Sequence, residues 1–402
     1  MQMRRTQIGG ISVAKKYLLS VLLLAVLFLP HFNVEYLQRF SFSRVLTAMR
    51  YLSLFVMLLG IISWVLMYRG RLNYSIFILL AFYTATIALS TVINRGDLFE
   101  ALQSYLIRYL PLLFLSLLLQ LYPYYAVQAL YIILEILCLA NLVSMVLYPE
   151  GLYLSELTNN RCFLLGHKNS VGYFTVALLA LSIYKNHLKN RKLSWHNYLD
   201  LGIVLLTAAL AQSATGLVVA VVCLLGFISL IWDFRFLRIN AIIPVCVIWA
   251  LTVGVVFFEI QTRFVSVIET LLNRDVSFTS RTLIWGQAIA NIRRNPWIGC
   301  GFLSTEAVTN RLILGSTHCT ILSCLFFGGI FALIAYGLYV IVIAKHVTRN
   351  RDAKEGGFFL CVVCSILVAS MMEALETNFV AMLTLLLCCQ FKTILRNRRV
   401  IN

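Results

Sequence analysis

Three stretches of this sequence set cationic and proton-carrying side chains at the ends of apolar runs. NNRCFLLGHKNSVGYF (159–174) gathers Arg161, His167, Lys168 and Asn169, with Gly166 and Gly172 allowing close backbone approach. SRTLIWGQAIANIRRNPWIGCGF (280–302) carries Arg281, Arg293 and Arg294. GSTHCTILSCLFFGGIFALIAYG (315–337) opens with His318 at the start of an apolar run. A guanidinium offers a planar fork of donors that suits phosphate. A neutral imidazole can take a proton from a sugar hydroxyl. Two acids, Glu373 and Glu376, lie in MMEALETNF (371–379) at the outer end of a span, where i, i+3 spacing puts them on one helix face, placed to pair with loop arginines. Arg108 falls about one turn into its apolar run, where it can serve as an anchor or in function. Each motif also has a plainer reading: His167 and Lys168 as snorkelling anchors, the 281–294 arginines as a solvated helix face, His318 as a structural helix-end histidine.

The elements that must position these groups are membrane spans. The chain has 402 residues, 61% hydrophobic and 12% charged, with mean hydropathy +0.88. Apolar runs long enough to cross a bilayer recur along it. The net charge of +17 does not signal nucleic acid, because the basic residues form short clusters between apolar runs, as topology signals do. The run from Tyr17 to Pro30 follows Arg4, Arg5, Lys15 and Lys16, has no small-residue cleavage site after it, and is expected to stay as the first span. Twelve spans are expected, at about 16–34, 51–68, 74–93, 104–122, 126–148, 168–185, 198–212, 214–232, 239–258, 318–344, 357–375 and 377–394. The fold class is therefore an all-α integral membrane protein, one polytopic domain over 1–402, because backbone polar groups in lipid must be satisfied internally. With the N-terminus inside, RGR (69–71), KNHLKNRK (185–192), DFRFLR (233–238), KHVTRNRDAK (345–354) and KTILRNRR (392–399) all fall on the cytoplasmic side and most acids on the other. Both termini are then cytoplasmic.

Two external connections are long: 149–167, and 259–317 between spans nine and ten. In the latter, Trp285, Ile289 and Ile292 recur at i, i+4, i+7, which predicts an amphipathic helix that Thr279 or Ser280 caps and Pro296 ends. GCG (299–301) supplies a tight turn. This outward loop carries Arg263, Arg274, Arg281, Arg293, Arg294 and Arg311, against the positive-inside trend. An outward cationic cup at the lipid surface suits an anionic ligand with a lipid tail. Most of the eleven cysteines sit in apolar runs and read as small buried hydrophobes. The Cys361/Cys364 pair has metal-like spacing but an apolar setting and no second pair, and a Cys162–Cys300 disulfide stays open. Glu135, deep in span five, is expected to be protonated or paired.

In order, these motifs resemble the O-antigen polymerase and O-antigen ligase superfamily, whose members assemble bacterial surface polysaccharides. The resemblance rests on Arg161, Gly166, His167 and Asn169; on Ser280, Arg281, Trp285, Pro296, Gly299 and Gly301; and on His318 with Gly328 or Gly329. It covers roughly 150–345 in motif and the whole chain in topology. One departure is AQSATGLVV (211–219), which lacks the arginine many members place before a middle span. That leaves open a second phosphate-binding arginine, which Arg161 or Arg108 could supply. The resemblance implies a metal-independent glycosyltransferase of the bacterial plasma membrane, without cofactors, that uses a glycan carried on undecaprenyl diphosphate. Arg281, with Arg161 or Arg108, would hold the diphosphate; His318 and Arg281 would be catalytic. His167, Asn169, Trp285, Arg293 and Arg294 would contact glycan or acceptor, with Glu373 and Glu376 in support. A polymerase uses an incoming lipid-linked repeat as acceptor and builds O-antigen, capsule or exopolysaccharide; a ligase uses lipid A core or protein. The polymerase is favoured. A polysaccharide flippase is the competing class, for which Glu135 is the main feature; a scaffold has no specific support. A chain-length regulator and a flippase are open as partners.

Overall fold

The computed structural model describes residues 13–40, 42–67, 75–155, 160–189, 192–260, 279–313 and 315–401. Arg4, Arg5, RGR (69–71), Glu156, Arg191, Arg263, Glu269, Arg274 and Asp275 lie outside these residues. The chain folds as α1 (Val13–Phe28), α2 (Glu35–Gln38), α3 (Ser43–Met67), α4 (Ser75–Ile93), α5 (Leu98–Leu121) and α6 (Pro123–Leu147). Three short strands follow, β1 (Tyr153–Leu154), β2 (Arg161–Phe163) and β3 (Gly166–His167). The remainder is α7 (Val171–Leu188), α8 (Trp195–Ala211), α9 (Ala214–Trp232), α10 (Ile242–Phe258), α11 (Thr279–Arg294), α12 (Thr305–Arg311), α13 (Thr320–Arg349), α14 (Gly356–Ser370) and α15 (Phe379–Ile401).

Each expected span overlaps a helix. By length and composition α3, α4, α5, α6, α9 and α13 can cross a membrane, and α10, α14 and the start of α15 are shorter apolar helices. Helix α7 is the centre: most of it is buried, and α6, α8, α9, α14 and α15 pack around it. Helix α3 lies at the edge, with Leu52, Phe55 and Leu66 exposed, as lipid-facing side chains are. Local chemistry sets several helix starts. Asp97 accepts from Glu100 N at 2.9 Å to cap α5, Ser194 and Asn197 form a capping box on α8, and Ser213 accepts from Gly216 N at 3.2 Å to cap α9.

Two expectations are corrected and two open points are filled in. Within the 149–167 loop, β1, β2 and β3 form an antiparallel sheet, pairing Tyr153 with Cys162 and Cys162 with His167. Helix α14 stops at Ser370, so Glu373 and Glu376 sit in the non-helical segment 371–378 and share no helix face. Thr320 Oγ, which donates to Glu373 O at 3.0 Å and accepts from Leu375 N at 2.9 Å, takes the backbone groups that a continued helix would use. Helix α5 starts at Leu98, so Arg108 lies about 15 Å along it rather than one turn in. Cys162 and Cys300 are both free thiols.

Glu135 finds a partner. Tyr131 Oη lies 3.0 Å from Glu135 Oε1 and 3.2 Å from Asp200 Oδ2, and Lys185 Nζ sits 3.3 Å from the centre of the Tyr131 ring. Two carboxyls, a phenol and an ammonium thus tie α6, α7 and α8 together, as buried polar groups in a membrane protein must.

Candidate active site

One joint holds the long loop against the bundle. Inside α13, Gly329 adopts φ 65° and ψ −160° and breaks the helix. The backbone groups released there are taken by the PWIGCG turn. Cys300 N donates to Phe326 O (2.7 Å), Gly301 N to Phe327 O (2.9 Å), and Ile330 N to Pro296 O (3.0 Å). Non-helical backbone at membrane depth is tolerated only when satisfied in this way. From the other side, Asn94 Nδ2 at the end of α4 donates to Gly299 O (3.1 Å), and Phe302 N donates to Thr91 Oγ (2.8 Å). Gly299 and Gly301 both have positive φ. This places α11, which precedes the turn, and the start of α13, which follows it, side by side.

Glu373 is the hub between them. Its Oε1 accepts from Arg281 Nη2 (3.2 Å) and Asn169 Nδ2 (3.4 Å), and its Oε2 lies 3.4 Å from His318 Nδ1. Arg281 sits in the first turn of α11, where free N–H groups also favour an anion. His318 precedes α13 with φ 47°, and its backbone N donates to Ser316 Oγ at 3.2 Å. Asn169 is held by Ser213, whose Oγ donates to its Oδ1 at 2.7 Å. The turn that lacks the expected arginine thus supplies a hydroxyl to the same cluster. His167 stands at the end of the small sheet; Asn169 N donates to its Nδ1 at 3.3 Å, which leaves the proton of the neutral ring on Nε2.

Electrostatics follow from this crowding. Burial by itself raises the Glu373 carboxyl, but His318, Arg281 and His167 outweigh it and hold it below its ordinary value. Burial lowers His167, against the pull of Glu373. Burial raises Glu376, despite its Ser323 hydrogen bond and Arg108. For Glu373 the folded value is depressed. Its stabilisation is fully present above the ordinary carboxylate range, about pH 4.3, and is lost as pH falls through the folded value. The melting-temperature gap between the native protein and Glu373→Gln is therefore expected to be largest near neutrality and to close as the pH falls through the folded value. A gap that stays constant across that range would contradict the ion-pair assignment.

Beside the hub is a cavity of about 330 Å³ lined by Tyr105, Arg108, Ser316, Thr317 and Glu376 among others. Glu376 is buried, its Oε1 accepts from Ser323 Oγ, and its Oε2 has no hydrogen-bond partner among the described residues. Next to this cavity, sharing Tyr105, an apolar groove of about 790 Å³ runs between α4 and α5, lined by Phe77, Leu80, Leu106 and Leu113.

The predicted site residues separate. Arg281, His318, His167, Asn169 and Glu373 come together, and Arg108 and Glu376 line the adjoining cavity. Arg161 does not join them: its guanidinium pairs with Glu150 at 2.7 Å and donates to Pro149 O at 3.3 Å. Trp285 is only 1% exposed, packed with Ile292, Leu322 and Phe326, so its ring is core and not a platform for sugar. Arg293 and Arg294 are exposed in the last turn of α11, about 18 Å along the axis from Arg281, where they complement the helix dipole. Ser213, Thr320 and Asn94 escaped the sequence reading. Ser213 had a signal, as a helix-capping serine before Gly216.

No curated protein matches the chain. Residues 201–337, which contain Ser213, Arg281, the PWIGCG turn, His318 and Gly329, match the family model described as O-antigen ligase. The match and the apolar helices point to a multi-pass membrane protein with O-antigen ligase or polymerase-type function, a membrane glycosyltransferase-like enzyme. Over these residues, 201–337 of 402, the chain is similar to that family, which supports the resemblance to the O-antigen polymerase and ligase superfamily.

Proposed function

We propose that the protein polymerises lipid-linked oligosaccharide repeats at the outer face of the bacterial plasma membrane, with both termini in the cytoplasm. It transfers the growing glycan from undecaprenyl diphosphate to an incoming lipid-linked repeat. The observation that carries this reading is the Glu373 hub, which holds Arg281 and His318 on one carboxylate. A carboxylate at His318 Nδ1 keeps that proton in place and leaves Nε2 to accept one. An acceptor hydroxyl then attacks the anomeric carbon of the donor sugar. The bond from that carbon to the diphosphate oxygen breaks, polyprenyl diphosphate leaves, and the hydroxyl proton passes to His318 Nε2. Arg281 spends one N–H on Glu373 and has others for the departing diphosphate, where developing charge makes fixed donors most effective. Arg108 faces the adjoining cavity and is the second cation for that group. His167 and Asn169 border the path of the glycan.

Ligase-type transfer is the second reading, since the matched family is described by that activity. The donor half of the chemistry is the same; the acceptor differs. A transport reading loses its main support, because Glu135 is engaged with Tyr131 beside Asp200 and Lys185. The deciding experiment is gel analysis of surface polysaccharide and of the lipid-linked pool in a deletion strain. Single repeats accumulating on the outer face, with polymer absent, are expected. Long lipid-linked polymer that never reaches a final acceptor would instead mean a ligase, and repeats trapped on the inner face a flippase.

A further inference from the structure

A second cavity, of about 350 Å³, shares Arg108, Ala374 and Thr377 with the first. Its walls include Arg50 of α3, Arg108 of α5, His31, Ser104 and Asn378. No acid is among its lining residues, whereas the first cavity has Glu100 and Glu376. Arg50 is aimed rather than loose: its Nε donates to Pro30 O (3.0 Å) and its Nη2 to Asn33 Oδ1 (3.2 Å). Neither partner carries charge, and three of the five N–H donors remain. Arg108 has a ring contact with Tyr105 at 5.9 Å and no hydrogen bond or ion pair among the described residues. His31 is engaged with Ser53 Oγ at 2.7 Å, and Ser53 in turn with Arg50 O at 2.8 Å. The two guanidiniums repel each other; Glu376 faces Arg108 from the first cavity, but no carboxylate lines the cavity beside Arg50, and within a membrane protein that arrangement is costly unless an anion completes it. Beside Arg50, α3 presents Tyr51, Leu52 and Phe55 outward, 46%, 65% and 59% exposed, so an apolar tail has a surface to follow.

We propose that this cavity binds the phosphate of a second lipid-borne substrate at Arg50, with Arg108 shared between the two anion sites, while the Arg281 side receives the first. The inference rests on the polymerase reading, and it gives that reading what a polymerase requires and a ligase to protein does not. Donor and acceptor each carry a lipid diphosphate, so two anion sites must flank one reaction centre. Arg108, Ala374 and Thr377 line both cavities, and the segment they share runs directly from Glu373.

The test is equilibrium binding of farnesyl diphosphate, and separately of inorganic pyrophosphate, to the full-length protein in nanodiscs. Native protein is expected to bind two equivalents of farnesyl diphosphate, and Arg50→Gln one. Ser104→Asp removes no contact of Arg50 but sets a negative charge in the same cavity, so it is also expected to bind one, even if Arg50→Gln folds poorly. Arg281→Gln should lose the other equivalent. Two equivalents retained by Ser104→Asp and Arg50→Gln, or a single native site lost only in Arg281→Gln, would overturn the second site and leave the donor site standing. Loss in the Arg50 and Ser104 variants but not in Arg281→Gln would uphold this cavity and defeat the donor assignment. Pyrophosphate binding as tightly as the farnesyl compound at the Arg50 site would make it a free-anion site and overturn the lipid claim.

Discussion

His318→Ala and Arg281→Ala are each expected to abolish surface polymer while the protein stays in the membrane at its normal level. A positioned general base contributes about 10²–10⁴-fold. A donor aimed at developing charge contributes about 10²–10³-fold. Losses of that size in a polymerase shorten the product to single lipid-linked repeats rather than thinning it evenly. Glu373→Gln should fall in the same direction, because the amide keeps the shape but drops the charge that orients both partners. Arg293→Ala is the contrasting control: that side chain is exposed at the far end of α11 and should leave polymer unchanged. The readout is the ladder of polymer lengths together with membrane protein level. Normal length from His318→Ala and Arg281→Ala would end the catalytic assignment, and loss in Arg293→Ala would move the site along the loop.

The helices were legible because lipid imposes a crude rule that a sequence cannot hide. Apolar runs of sufficient length, separated by charged clusters, locate helices, but not their ends: α3 begins at Ser43 and α5 at Leu98, well before the expected 51 and 104. Helix α11 was legible for a different reason: Trp285 and Ile292 repeat on one face, and that face is the one buried. The periodicity carried a second message that the motif reading missed. A tryptophan on the apolar stripe belongs to the core, so Trp285 was not available to a glycan. The sheet at 153–167 was invisible, since strands of two or three residues give no alternation to count. Its placement depends on distant partners, such as Asn141 Oδ1 accepting from Leu165 N at 3.0 Å and Tyr36 N donating to Leu164 O at 3.3 Å.

The same limit governs the site. Each of Arg281, His318, His167 and Asn169 stood out alone, because a polar group beside an apolar run needs a reason. What sequence could not supply was which acid they share. MMEALETNF reads locally as continued helix; only Thr320, far away in the chain, shows why it stops at Ser370. Arg161 drew notice by its motif, yet the nearby Glu150 claims it. Arg50 drew none, because a single arginine near the start of an apolar helix resembles an interfacial anchor. Its meaning comes from Arg108 across a cavity, a relation between α3 and α5 that no local pattern encodes.

Gly329→Ala is expected to be the most damaging single methyl in the chain. A Cβ there would lie 2.2 Å from Trp297 C and O and 2.4 Å from Ile298 N, all backbone atoms that cannot swing aside. The φ and ψ at this residue belong to a region that is essentially glycine's own, and holding another residue there costs about 1–3 kcal/mol. Overpacking adds about 1–3 kcal/mol more. To escape, the PWIGCG turn must lift from α13, which breaks the bonds from Cys300, Gly301 and Ile330. The consequence is functional as well as structural. Arg281 reaches the site from α11, before the turn, and His318 from the start of α13, so loosening the joint separates the cation from the base. Gly286→Ala in α11 is the matched control: a Cβ there meets nothing within 4 Å, and alanine in a helix interior is favoured over glycine by about 0.5–1 kcal/mol. Thermal unfolding in detergent should therefore show a fall for Gly329→Ala and no fall for Gly286→Ala, with polymer lost only in the first. Native-like melting and full polymer length in Gly329→Ala would mean that the turn does not hold the site together.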